Sequence, residues 1–335
     1  MIEIVFVVLM VLVSLFIIVK GADYLVNGSA DLARYLRISP MIVGLTIVAF
    51  GTSLPEFVVS LFSVLAGKAD ISIGNIVGSN IANIALVIGV CAILTKLKIR
   101  SKTLIHEYPF MIISSFLLLI LANDWFIFGK NEFTLSRIDG LIFISIFLFF
   151  MYYIFRSMRK SRKEVKEVKE VKVVKKEFSD EFKHQNSTWK NSLMIIGGII
   201  ALMVGGRVFV IFASQLSKLA GLSESFVGLL IAALGTSLPE LATSGMAAWK
   251  KQGDIAIGNI VGSNIFNILF VLGTISLIQP IAVNPAILQI DAMIMLFVTA
   301  LFLIFSTYRK SISKKEGMIL VGTYLIYIAF LIWRG

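Results

Sequence analysis

Residues 41–90 and 225–274 are two copies of one block, aligned without a gap at a constant offset of 184 and identical at 27 of 50 positions. Gly51-Thr52-Ser53-Leu54-Pro55-Glu56 returns as Gly235-Thr236-Ser237-Leu238-Pro239-Glu240. DISIGNIVGSNIANI, from Asp70 to Ile84, returns as DIAIGNIVGSNIFNI, from Asp254 to Ile268. Self-similarity of this strength makes the chain a duplicated unit, and any fold must accommodate two equivalent halves.

Both copies sit in apolar sequence. Ten apolar runs fall near residues 4–33, 40–67, 71–95, 103–122, 138–156, 191–218, 225–249, 255–279, 284–307 and 316–333. A helix needs roughly 20 such residues to cross a bilayer. The chain is 58% apolar and 15% charged, which excludes a disordered, fibrous or ordinary soluble protein. The runs lack period-2 alternation, so a barrel is disfavoured. The expected fold is an all-α polytopic membrane protein of ten transmembrane helices. Residues 1–156 and 191–335 form two five-helix halves joined by a charged loop over 157–190. Five spans per half is an odd number, so the second half enters the membrane upside down. This is the inverted-repeat plan of secondary transporters, which place the substrate at the midplane between the halves and work by alternating access.

The charges set an orientation. With both termini outside, the inner loops hold 24 of the 31 Lys and Arg residues and the outer side 5. That positive-inside bias accounts for the net charge of +11, and nucleic acid is not needed as a partner. The N-terminus lacks a basic leader region, so the first run reads as a retained helix. The segment KEVKEVKEVKVVKKE is expected to be a solvated cytosolic extension. An anionic-lipid contact of the basic 160–176 segment is the alternative. The lone cysteine, Cys91, rules out an intrachain disulfide.

The chemistry sits in the repeats. Pro55 and Pro239 lack an amide hydrogen and, with the preceding glycines, break a helix at membrane depth. Irregular backbone is tolerated there only where it is buried in protein or lines a wet cavity, and its carbonyls suit a hard cation. Glu56 and Glu240 follow each break. A carboxylate at the bilayer centre costs roughly 2.5–3.5 kcal/mol on insertion scales. Two at equivalent places converge and repel unless a cation lies between them. Asn75, Ser79 and Asn83 stripe one helix face, and Asn259, Ser263 and Asn267 repeat the stripe. Oxygen ligands suit Ca²⁺ or Na⁺. Ser79, Asn83, Ser263 and Asn267 read as ligands, whereas Asn75, Asn80, Asn259 and Asn264 read as interhelical hydrogen-bonders. Glu107 and Asp291, also 184 apart, read as interfacial helix caps.

The paired GTSLPE and GNIVGSNxxN blocks resemble the two α-repeats of the sodium/calcium exchanger family, within the cation/calcium antiporter superfamily. The resemblance covers both motif regions and the ten-helix layout. It implies exchange of Na⁺ for Ca²⁺ at the plasma membrane, with these ions as substrates and no cofactor. It implies a Ca²⁺ site of Glu56, Glu240 and the carbonyls of Thr52 and Thr236. Flanking Na⁺ sites would use Ser53, Ser79 and the Ala49 carbonyl, with Ser237, Ser263 and the Ala233 carbonyl. Asn83 and Asn267 would border the middle site. Some prokaryotic and potassium-dependent relatives carry aspartate where Asn267 stands, so this chain has one carboxylate fewer. The alternative is a H⁺/Ca²⁺ antiporter on the same fold, against which the serine and alanine positions argue. An enzyme is not expected, because no nucleophile, metal-histidine cluster or nucleotide loop accompanies the glutamates.

Overall fold

The computed structural model describes residues 2–99, 107–123, 133–170, 188–219 and 235–334. The helices are α1 (Ile2–Leu36), α2 (Pro40–Thr52), α3 (Leu54–Leu65), α4 (Ala69–Leu94), α5 (Tyr108–Leu121) and α6 (Arg137–Glu170). They continue as α7 (Thr188–Leu219), α8 (Leu238–Trp249), α9 (Gly253–Ile278), α10 (Ile287–Arg309) and α11 (Lys314–Arg334). Seven of them are long and apolar enough to cross a membrane, and α2 with α3 makes an eighth span bent by 42°. Against the ten expected runs, α5 is a shorter apolar helix of 14 residues, α8 has 12 residues, and residues 225–234 of the seventh run lie outside the described residues.

The layering follows from which helices carry the repeats. The apolar window of α9 is 94% buried and that of α4 is 78% buried, against 22% for α1. The outer helices show large apolar side chains, such as Val5 and Phe16, each 63% exposed, as lipid-facing surfaces do. So α4 and α9 form the centre, and the outer helices shield them from hydrocarbon.

Close backbone approach, rather than bulk, joins the elements. A Cβ on Gly21 would lie 3.0 Å from the Gly198 carbonyl oxygen, and one on Gly28 would lie 3.0 Å from that of Asn191. Moving seven residues forward on α1 moves the contact seven residues back on α7, so the two helices run antiparallel. At the α2–α9 crossing, a Cβ on Gly258 would meet the Met41 carbonyl oxygen at 2.5 Å. Lys250, just past α8, ties back to α1 through Asp23 and, at 2.7 Å, Asn27.

Four two-residue strands stitch the halves together. β1 (Leu97–Lys98) pairs antiparallel with β4 (Ser311–Ile312), and β2 (Thr134–Leu135) with β3 (Ile281–Ala282). β1 and β3 occupy repeat-equivalent positions, so each strand pairs with the opposite half. Beyond each second strand of a half, Ser136 with Asp139 and Ser313 with Glu316 form the same reciprocal N-terminal cap, at 2.7 and 2.6 Å from the serine amides. These caps are 177 positions apart rather than 184, so the similarity extends past the motif blocks after a seven-residue change in spacing.

Candidate functional site

The two helix breaks are the same to within a degree. Ser53 has φ −86° and ψ 2°, and Ser237 has φ −85° and ψ 1°. Proline follows two residues later in both, and the helix restarts with Phe57 N–H donating to the Ser53 carbonyl at 3.1 Å and Leu241 N–H to the Ser237 carbonyl at 3.0 Å. Glu56 and Glu240 therefore sit in the first turn of a half-helix, where the unpaired amides and the helix dipole favour negative charge. Both are fully buried.

Hydroxyls from both halves reach the carboxylates. Ser79 donates to Glu56 Oε1 at 3.1 Å and itself accepts from Ser237 at 3.2 Å. Ser53, from the first break, donates to Glu240 Oε1 at 3.3 Å, and Ser263 does so at 3.4 Å. Thr52 Oγ1 donates to Asn259 Oδ1 at 3.0 Å, and its repeat partner Thr236 donates to Asn75 Oδ1 at 3.1 Å. Each half thus completes the polar shell of the other.

The remaining oxygens are what a cation would use. Glu56 Oε2, Glu240 Oε2, Asn83 Oδ1 and Asn267 Oδ1 are buried without a hydrogen-bond partner. A buried carboxylate oxygen with nothing to compensate it is costly. Hard oxygens from carboxylates, amides and hydroxyls suit Ca²⁺ and Na⁺. Among the described residues, no third acidic, histidine or cysteine side chain joins a metal-holding group with them.

The sequence-predicted residues divide as follows. Glu56, Glu240, Ser53, Ser79, Ser237, Ser263, Thr52 and Thr236 meet in the one shell described above. Asn267 touches that shell through Ser79 at 3.4 Å and donates to Asn80 at 3.0 Å. Asn83 is buried in a wide π-helical turn, Ala82–Val87, with no side-chain partner. The Ala49 carbonyl accepts the Ser53 amide at 3.0 Å and lies 3.4 Å from the Thr52 hydroxyl oxygen, whose proton goes to Asn259. Ala233 lies outside the described residues. Asn75, Asn80 and Asn259 bridge helices as expected, whereas the Asn264 side chain has no partner.

Two features went unread in the sequence. Ser60 and Ser244 accept from Asn75 at 3.0 Å and Asn259 at 2.9 Å, fixing the asparagines that brace the threonines. Their signal was available, since they too are identical at the repeat offset. The cap reading of Asp291 and Glu107 is corrected. Glu107 directly precedes α5 and Asp291 lies near the start of α10, but neither side chain makes a cap hydrogen bond. Asp291 instead pairs with Arg334 at 3.0 Å and accepts from the Tyr327 hydroxyl at 3.1 Å, because α11 brings a full charge partner within reach.

Known proteins resemble this chain in sequence and fold. The profile of the sodium/calcium exchanger protein family matches residues 6–156 and 190–333. The chain is 32% identical over 343 residues to the sodium/calcium exchanger MaX1 of Methanosarcina acetivorans, covering 97% of each protein. It is 33% identical over 325 residues to the inner membrane protein YrbG of Escherichia coli, covering 97% of this chain and 96% of that protein. Among solved structures, one of the sodium-calcium exchanger NCX_Mj, soaked with Na⁺ and Sr²⁺, superposes with a TM-score of 0.79 at 27% identity. The match spans 97% of this chain and 99% of that one.

Proposed function

Because the chain belongs to the sodium/calcium exchanger family, we propose that it is a secondary antiporter exchanging Na⁺ for Ca²⁺ at the Glu56–Glu240 site. The observation that carries this reading is the pair of fully buried carboxylates, each with one oxygen held by hydroxyls and one without a partner. One Ca²⁺ neutralises two carboxylates, and so do two Na⁺. The ions therefore compete for the same charge, and binding of one excludes the other. Glu56, Glu240 and the carbonyls of Thr52 and Thr236 hold Ca²⁺. Ser53, Ser79 and Ala49, with Ser237, Ser263 and Ala233, take Na⁺, and Asn83 and Asn267 flank the middle.

Alternating access fits two halves in opposite orientation, ten spans in all, residues 1–156 and 191–335 joined by 157–190. The antiparallel run of α1 against its counterpart α7 and the exchanged strand pairs support this layout. A cavity of about 710 Å³ lined by Gly74 reaches Asn75, Ser79 and Thr236, which supports a route for ions to the site. The positive-inside bias puts both termini outside the plasma membrane.

The test is uptake of labelled Ca²⁺ into proteoliposomes. Internal Na⁺ should drive it, and an imposed pH gradient without Na⁺ should not. Uptake driven by the pH gradient alone would assign proton coupling instead. No uptake by folded protein would reject the antiporter.

A further inference from the structure

The cavity that reaches Asn75 and Ser79 carries three charged side chains among its described lining residues, namely Arg207, Asp291 and Arg334. Two are positive, on the approach to a site built for cations. Asp291 is the single carboxylate among them. Its residue is 4% exposed, yet it belongs to the cavity wall. Arg334 Nη2 lies 3.0 Å from its Oδ2, and the Tyr327 hydroxyl donates to its Oδ1 at 3.1 Å. The Arg334 side chain keeps a third of its surface exposed, so this ion pair is reachable from the cavity.

We infer that Asp291 is the cation-relay residue of the access vestibule, and that Arg334 acts as a tethered cation setting how much of its charge an arriving ion meets. A cavity with low-dielectric walls focuses the field of one carboxylate, which raises the local concentration of cations and their rate of arrival. Tyr327 holds the carboxylate in place and Arg334 masks it. An incoming Ca²⁺ competes with the guanidinium for the same oxygens, then moves inward to Ser79 and Glu56. Arg207, also in the cavity wall, adds positive charge that Asp291 offsets. The residue touches the ion only on its way to the site, so its effect belongs to half-saturation and not to turnover at saturating Ca²⁺. The inference rests on the Glu56–Glu240 site being the transport site.

Three variants of the full chain read this as charge. Asp291→Asn adds one net positive charge to the vestibule, Arg334→Gln removes one, and the double variant restores the original net charge. In Na⁺-loaded proteoliposomes at low ionic strength, Asp291→Asn should raise half-saturating external Ca²⁺ about three- to ten-fold. Arg334→Gln should lower it by a similar factor, and the double variant should return to within about two-fold of wild type. Adding about 0.5 M choline chloride should shrink every shift, because the charges are then screened within a few ångströms. Identical half-saturation in all four proteins overturns the inference. So does a double variant that behaves like Asp291→Asn alone, which would mark a packing role. Calorimetric Ca²⁺ titration of the same detergent-solubilised proteins needs no Na⁺ coupling. If exchange is absent but titrated affinities follow the charge order, the antiporter reading fails, while the charge effect of Asp291 and Arg334 on Ca²⁺ binding remains. If wild-type exchange is present and the affinities ignore the charge order, the reverse holds.

Discussion

Replacing Glu56 with glutamine tests the site most directly, and its size can be worked from the geometry. The amide is isosteric, and its oxygen can still accept the Ser79 hydroxyl now 3.1 Å from Oε1, so the hydrogen-bonded shell has no reason to collapse. What changes is charge. Two carboxylates and one Ca²⁺ sum to zero, whereas one carboxylate and one Ca²⁺ leave a positive charge in a cage whose two acidic residues are fully buried. An uncompensated buried charge costs about 3–5 kcal/mol. At 1.4 kcal/mol per tenfold, Ca²⁺ affinity should fall by at least about 100-fold. A single Na⁺ is still matched by Glu240, so Na⁺ binding should lose far less, and the site should change from divalent- to monovalent-selective. Titration of Ca²⁺ and Na⁺ into purified Glu56→Gln and Glu240→Gln proteins, with thermal unfolding as the folding control, reads both halves of the claim. Calcium affinity within about threefold of wild type in either folded variant would refute the charge-balance argument.

The other predictions concern the scaffold. Gly258→Ala places a methyl 2.5 Å from the Met41 carbonyl oxygen and 3.0 Å from the Leu45 amide. Such overpacking should cost about 1–3 kcal/mol and lower the unfolding temperature by several degrees. Asn80→Ala removes a donor to the Asn264 carbonyl and an acceptor of Asn267, at 3.4 and 3.0 Å. It should lose about 1–3 kcal/mol of stability while leaving Ca²⁺ affinity within about threefold, as titration and melting on one preparation would reveal.

Much of the site was legible because a membrane penalises every polar group it contains. A glutamate beside a proline inside an apolar run has few explanations, and finding it twice at one offset leaves fewer. The same logic singled out the Asn and Ser stripes. The wide turns at Ala82–Val87 and Phe266–Leu272 were not legible, since a π-helical turn has no composition of its own and arises where packing rotates a helix to present a side chain. Nor was the partner of Asp291. The sequence places it at a helix start, where a cap is the ordinary role, while Arg334 stands 43 positions away and meets it only through the packing of α11.

The amino-acid order by itself determined that this chain is duplicated, spans a membrane repeatedly and buries two acidic groups at equivalent breaks. Each of these follows from local chemistry, because a lipid environment allows neither unpaired backbone nor idle charge. Only the tertiary structure decided which of these groups meet. Ser53 of the first break reaches Glu240 of the second half, Asn267 bonds to Asn80, and Arg334 pairs with Asp291. Such contacts join residues far apart in the chain, and no local pattern encodes the helix packing that brings them within hydrogen-bond reach.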